Sequence, residues 1–106
     1  MTLPEPIAAY FAAKNRHDIE AMLVPFSADA IVKDEGQELR GHAPIRAWME
    51  ETTRKYAVTV EPKGVAVKGG STVVTALVSG NFPGSPAELR YTFTLRMEKI
   101  EGLEIG

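Results

Sequence analysis

The sequence predicts an α+β domain: a curved antiparallel sheet with three N-terminal helices packed on its concave face, forming a cone-shaped cavity. Three observations carry this. Apolar residues recur at helical spacing in the first half, and the period switches to two after Ala57. The later strands follow one another without intervening helices, which argues against a parallel α/β sheet. Pro62-Lys63-Gly64 marks a bulge or edge position, because proline cannot sit in the middle of a ladder. A long bulged sheet curls, and helices laid over its hollow side leave a pocket.

Pro4 and Pro6 suit the start of a first helix, whose face is Ile7, Tyr10, Phe11 and Lys14. The alanines between them make a small-residue surface able to pack closely. Asn15-Arg16-His17 breaks this helix, and Asp18 caps a second with Ile19, Met22 and Leu23 on one face. Pro25 ends it. Ala30–Gly36 and Gln37–Arg40 form two short strands around a Glu35-Gly36 turn. Gly41 and His42 lead into a third helix with Ile45, Trp48, Met49, Thr52 and Tyr56 on one side.

Val58 to Val67 is a strand, and Gly69-Gly70 a hairpin turn. Thr72–Asn81 is apolar on both faces, which predicts a central strand covered on both sides. Phe82–Pro86 is a loop. Glu88–Glu98 alternates, with Leu89, Tyr91, Phe93, Leu95 and Met97 facing one way. A turn at Glu98-Lys99 reaches a last strand, Ile100–Ile105.

The 106 residues make one domain, 1–106, with 44% hydrophobic and 25% charged residues, as in ordinary globular proteins. Zero cysteines exclude disulfides, thiolate metal sites and cysteine nucleophiles. A net charge of −2 without a basic block predicts no nucleic-acid partner. No apolar run is long enough for a membrane helix. The start, Met-Thr-Leu-Pro-Glu-Pro, lacks the basic and apolar stretches of a signal peptide, so the expected location is cytoplasmic. The only histidines, His17 and His42, have no partner at helical spacing, so no metal and no cofactor are expected. No G-x-S-x-G elbow is present.

Tyr10, Ala12, Ala13, Asn15 and Asp18, then Phe26, Asp29, Ala30, Val32 and Asp34, then Gly41 and Ile45-Arg46-Ala47-Trp48 form a spaced pattern. It resembles the SnoaL-like, ketosteroid-isomerase-like branch of the nuclear transport factor 2-like superfamily over essentially the whole chain. The resemblance implies proton abstraction next to a carbonyl, as in an isomerase, cyclase or dehydratase. It matches Asp34 to a general base and Tyr10 to an oxyanion donor. The position of that enzyme's second donor, an aspartic acid, holds Tyr91 here. Phe26, Trp48, Tyr91 and Phe93 are expected to line the cavity around a small apolar or fused-ring ligand.

The residues themselves leave alternatives. Asp34 also fits a solvated turn, and Tyr10 a core position. The chain then reads as a non-catalytic binder of small hydrophobic ligands, or as a dimerisation module. The face bearing Val73, Leu77, Arg90, Thr92, Thr94 and Arg96 suits a homodimer interface, a pairing the resemblance also implies.

Overall fold

Pro4 and Pro6 sit at the cap and first turn of helix α1 (Glu5–Asn15), where their missing N–H groups have no helical acceptor to lose. The computed structural model describes residues 1–106. After α1 come α2 (Ile19–Leu23), strands β1 (Phe26–Asp34) and β2 (Gln37–Arg40), α3 (His42–Tyr56), and strands β3 (Thr59–Lys68), β4 (Ser71–Ser79), β5 (Ala87–Arg96) and β6 (Lys99–Ile105). The Asp18 carboxylate accepts from the Ala21 N–H at 3.1 Å and so caps α2. An ion pair between Glu20 and Arg46 joins α2 to α3. No helix is long and apolar enough to cross a membrane.

The strands form one curved sheet in the order β2-β1-β6-β5-β4-β3. Every pairing is antiparallel except β1 with β6, which run parallel. The inner face carries Val32, Val74, Ala76, Tyr91, Phe93 and Leu103, all buried under the helices. Register is shifted between Pro62 and Gly64, where the bulge was expected, and again in β1 and at the start of β6.

Four expectations need correction. The first strand begins at Phe26, four residues before Ala30. Phe26 pairs with Ile100 across an irregular stretch whose polar Ser27 and Asp29 hide the alternation. The sheet is not a pure meander, because β6 returns beside β1 and joins the two halves of the chain. β4 lies one strand from the edge, and within one chain only its inner face is covered, with Val73 and Leu77 half-buried on the other.

The last turn is also displaced: β5 stops at Arg96, and Met97 is 87% exposed. Glu35-Gly36, Gly69-Gly70 and Met97-Glu98 all have two successive positive φ angles, the hairpin geometry that matches strand twist. Glycine announces the first two turns. The third imposes φ of 51° and 63° on Met97 and Glu98, a conformation that side chains normally disfavour.

The end of α1 is tied to the sheet edge by one side chain. Asn15 Oδ1 accepts from the Val60 N–H at 2.7 Å, and Asn15 Nδ2 donates to the Val60 carbonyl at 2.9 Å. Asn15 thus acts as a single residue of an added strand, while His17 Nε2 meets the Val58 carbonyl at 2.8 Å. Asn15→Ala removes two partly buried hydrogen bonds. It is expected to cost about 2 kcal/mol. Urea unfolding should show a lower midpoint at unchanged slope, and a wild-type midpoint would mean that the bridge supports nothing.

Candidate functional site

Strand alternation delivers Asp34 to the interior. Ala30 and Val32 point inward and are fully buried, and Asp34 is the next residue on that side. The Glu35-Gly36 turn then ends the strand, so the carboxylate stands at the inner rim of the sheet. It lies on the wall of a cavity of about 410 Å³ with 13 lining residues, 8 of them hydrophobic. α3 contributes Trp48, Thr52 and Tyr56, the sheet contributes Val78, Leu89, Tyr91 and Ile105, and the loop after β4 contributes Phe82 and Pro83.

Trp48 Nε1 donates to Asp34 Oδ2 at 3.1 Å. This fixes the carboxylate's direction and favours its charged form. Burial acts the other way and dominates, so the Asp34 pKa lies above the ordinary value. Glu35 adds to the rise, and Lys14 opposes it.

Lys14 is a site residue that sequence reasoning did not single out. It occupies the inward face of α1, one turn after Tyr10, and is 7% exposed. Its ammonium lies 5.8 Å from the Tyr10 ring centroid and 6.0 Å from that of Trp48. Burial pushes its pKa down to about 8, with Asp34 pulling the other way. The available signal was positional: the lysine is in register with Ile7, Tyr10 and Phe11, although its long stem leaves open whether the amine ends inside or in water.

Of the residues expected to surround a ligand, Trp48 and Tyr91 are on the cavity wall with Asp34. Tyr10, Phe26 and Phe93 are not; each is no more than 2% exposed and packs in the core beside it. The Tyr10 ring stands edge-on to Phe26 at 5.4 Å and to Phe93 at 6.0 Å, while Phe11 stands edge-on to Tyr91 at 5.1 Å. The enclosure has a physical reason, since helix α1 can seat on the sheet only by driving these rings into it.

The Tyr10 hydroxyl finds no hydrogen-bond partner. Its pKa is raised well above the ordinary value by burial first, then by Tyr91 and Asp34. Tyr91 is raised by burial and by Asp34. Both phenols therefore stay protonated donors near neutral pH. The two histidines are occupied elsewhere: His17 against the Val58 carbonyl, and His42 against that of Phe26 at 3.0 Å. No group of three or more histidines or carboxylates converges.

The family model for the SnoaL-like domain matches residues 7–103. Among solved structures, a Sinorhizobium meliloti protein proposed to be a polyketide cyclase superposes with a TM-score of 0.93. It is 38% identical, over 98% of this chain and 95% of its own. A Catenulispora acidiphila protein with a ketosteroid isomerase-like fold, in complex with trimethylamine, gives 0.85 at 23% identity, over 99% of this chain and 86% of its own. SalBIII, an epoxide hydrolase/cyclase-like enzyme of pyran ring formation in the polyether salinomycin, gives 0.82 at 23% identity, over 95% and 86%. The last two likenesses concern the fold. None of the curated proteins matches the chain.

Two stability measurements follow from the buried polar groups. Well below pH 8 Lys14 is charged in both folded and unfolded chains, and its burial then opposes folding. Between about pH 8 and 10.5 the unfolded chain holds a proton that the native state has lost, so wild-type stability should rise there. Lys14→Met removes this dependence. The variant should be more stable at pH 7 by up to about 3 kcal/mol, with the gap closing above pH 10. A constant gap across that range would contradict a buried, displaced lysine. Tyr10→Phe deletes an unpartnered hydroxyl and should raise stability by about 1 kcal/mol. A loss in thermal or urea unfolding would mean that the hydroxyl has a partner.

Proposed function

The chain belongs to the SnoaL-like domain family, and on that premise we propose that it binds a small, largely apolar carbonyl compound and removes a proton from the carbon next to the carbonyl. The observation that carries this reading is the Asp34 carboxylate, half-buried on the wall of a mostly apolar cavity and held by Trp48. A raised pKa brings a carboxylate nearer the strength needed to take a carbon-bound proton at neutral pH.

In this reading Asp34 is the base, and a phenol stabilises the oxyanion of the enolate. Tyr10 is the proposed donor, because its hydroxyl is unspent within the fold and close enough to Asp34 to feel its charge. Tyr91, already on the wall, is the second donor. Trp48 and Tyr91 offer flat surfaces to a planar or fused-ring ligand. Phe26 and Phe93 shape the site from behind. The step is of isomerase, cyclase or dehydratase type. The proposed assembly is a homodimer through the outer sheet face, where Val73, Leu77 and Thr92 are only half-buried. A second reading, capture of an apolar ligand without turnover, is favoured by the absence of Tyr10 from the cavity wall.

The two readings separate in a deuterium-exchange experiment. Flat cyclic ketones and enones are incubated with protein in D₂O, and loss of the α-proton signal is followed by NMR. Exchange should rise with pH as Asp34 ionises. Asp34→Asn should slow it by roughly 100-fold or more. Tyr10→Phe should raise the barrier by about 2–4 kcal/mol and so slow exchange correspondingly. Wild-type exchange in Asp34→Asn would remove Asp34 as the base. Binding without exchange by any compound would favour the capture reading.

A further inference from the structure

We propose that Lys14 is a nucleophile, whose amine forms an imine with an aldehyde or ketone held in the cavity while Asp34 moves the protons. The proposal rests on the carbonyl-binding reading above, but it needs no turnover. Its geometric basis is the position of the amine. A lysine kept for folding normally ends in water or on a carboxylate. Lys14 does neither: it is on the cavity wall, 7% exposed, with no carboxylate within ion-pair distance and no hydrogen-bond acceptor. Its ammonium lies over the rings of Tyr10 and Trp48, 5.8 and 6.0 Å from their centroids. The other titratable groups on the wall are Asp34, Glu35, Tyr56 and Tyr91.

Burial supports the assignment. With a pKa of about 8, roughly a tenth of Lys14 is the free amine at pH 7, against less than roughly one part in a thousand for an ordinary lysine. The step balances as follows. The Lys14 ammonium gives up one proton, relayed through water in the cavity to the Asp34 carboxylate, since the two groups are not in direct contact. The neutral nitrogen attacks the carbonyl carbon, forming the C–N bond as the C–O π bond breaks. The oxygen takes the proton from Asp34 and one more from nitrogen and departs as water. A C=N bond remains, with one proton on a positively charged nitrogen. Ammonium plus carbonyl thus become iminium plus water, with no oxidant or reductant. Trp48 and Tyr91 can flank a flat carbonyl compound, and about 410 Å³ suits one of two rings.

The test is reductive trapping. Protein is incubated with 2-naphthaldehyde or trans-cinnamaldehyde and sodium cyanoborohydride, and the adduct is located by peptide mass mapping. The expected result is a single fast adduct at Lys14, ahead of the five other lysines. Its rate should level off above about pH 8, while surface labelling climbs further. Lys14→Arg keeps the charge but cannot form an imine, and should lose the fast adduct. Asp34→Asn should slow trapping at least about tenfold without moving it. Labelling spread evenly over the lysines, or fast labelling that survives in Lys14→Arg, would overturn the proposal, and an unchanged rate in Asp34→Asn would remove the carboxylate from it. A Lys14 adduct in a protein without α-proton exchange would uphold this inference and refute the enolisation reading. Exchange without a Lys14 adduct would do the reverse.

Discussion

Helix α1 is held to the sheet by aromatic packing, and the position of Lys14, the residue it gives to the cavity, depends on that contact. Tyr10 and Phe11 of the helix meet Phe26, Tyr91 and Phe93 of the sheet at centroid distances between 5.1 and 6.0 Å, mostly edge to face. Such pairs contribute about 0.5–1.5 kcal/mol each beyond their buried area. They also fix the helix in rotation. Because Lys14 lies one turn beyond Tyr10 on the same face, seating Tyr10 in the core forces Lys14 to the cavity wall. Asn15, the next residue, then locks the helix end to Val60. The tyrosine matters to the fold for its ring, whatever its hydroxyl does.

The cavity wall and the core directly behind it concentrate the features a stable core avoids. A half-buried carboxylate, a buried amine and an orphan phenol each oppose folding. Elsewhere the interior is almost wholly apolar, Thr72 being the only other buried polar residue. Local violations gathered at one cavity, in a protein otherwise consistent from caps to core, are what a functional site looks like physically. The charges do not cancel directly, since Asp34 and Lys14 form no ion pair and each keeps capacity for a ligand.

The sequence made the fold readable where local chemistry and tertiary structure agreed. The Asp18 cap, the glycine hairpins, the Pro62 bulge and the helical face of Ile45 and Met49 needed nothing beyond their neighbours. Strand β1 was half hidden because its irregular start lets Ser27 and Asp29 break the alternation. The Met97-Glu98 turn was hidden because residues with side chains took a conformation that glycine usually advertises. The parallel union of β1 with β6 leaves no local mark at all. In the site, alternation through Ala30 and Val32 makes the direction of Asp34 readable. The enclosure of Tyr10 and the fate of Lys14 were not, because they depend on how far the helix sinks into the sheet.

Strand β3 forms one open edge of the sheet, and its outer half exposes Val65 and Val67. A flat, valine-rich edge is a template on which another chain's strand can add. Here Pro62 supplies no N–H, and the displaced register at Gly64 interrupts the straight row of hydrogen-bonding groups. Lys63 and Lys68 add like charge that repels an incoming copy. The irregularity that helps curve the sheet around its cavity thus also guards against aggregation. A change that straightened this strand to remodel the pocket would remove protection from the part of the molecule most able to seed intermolecular β-structure.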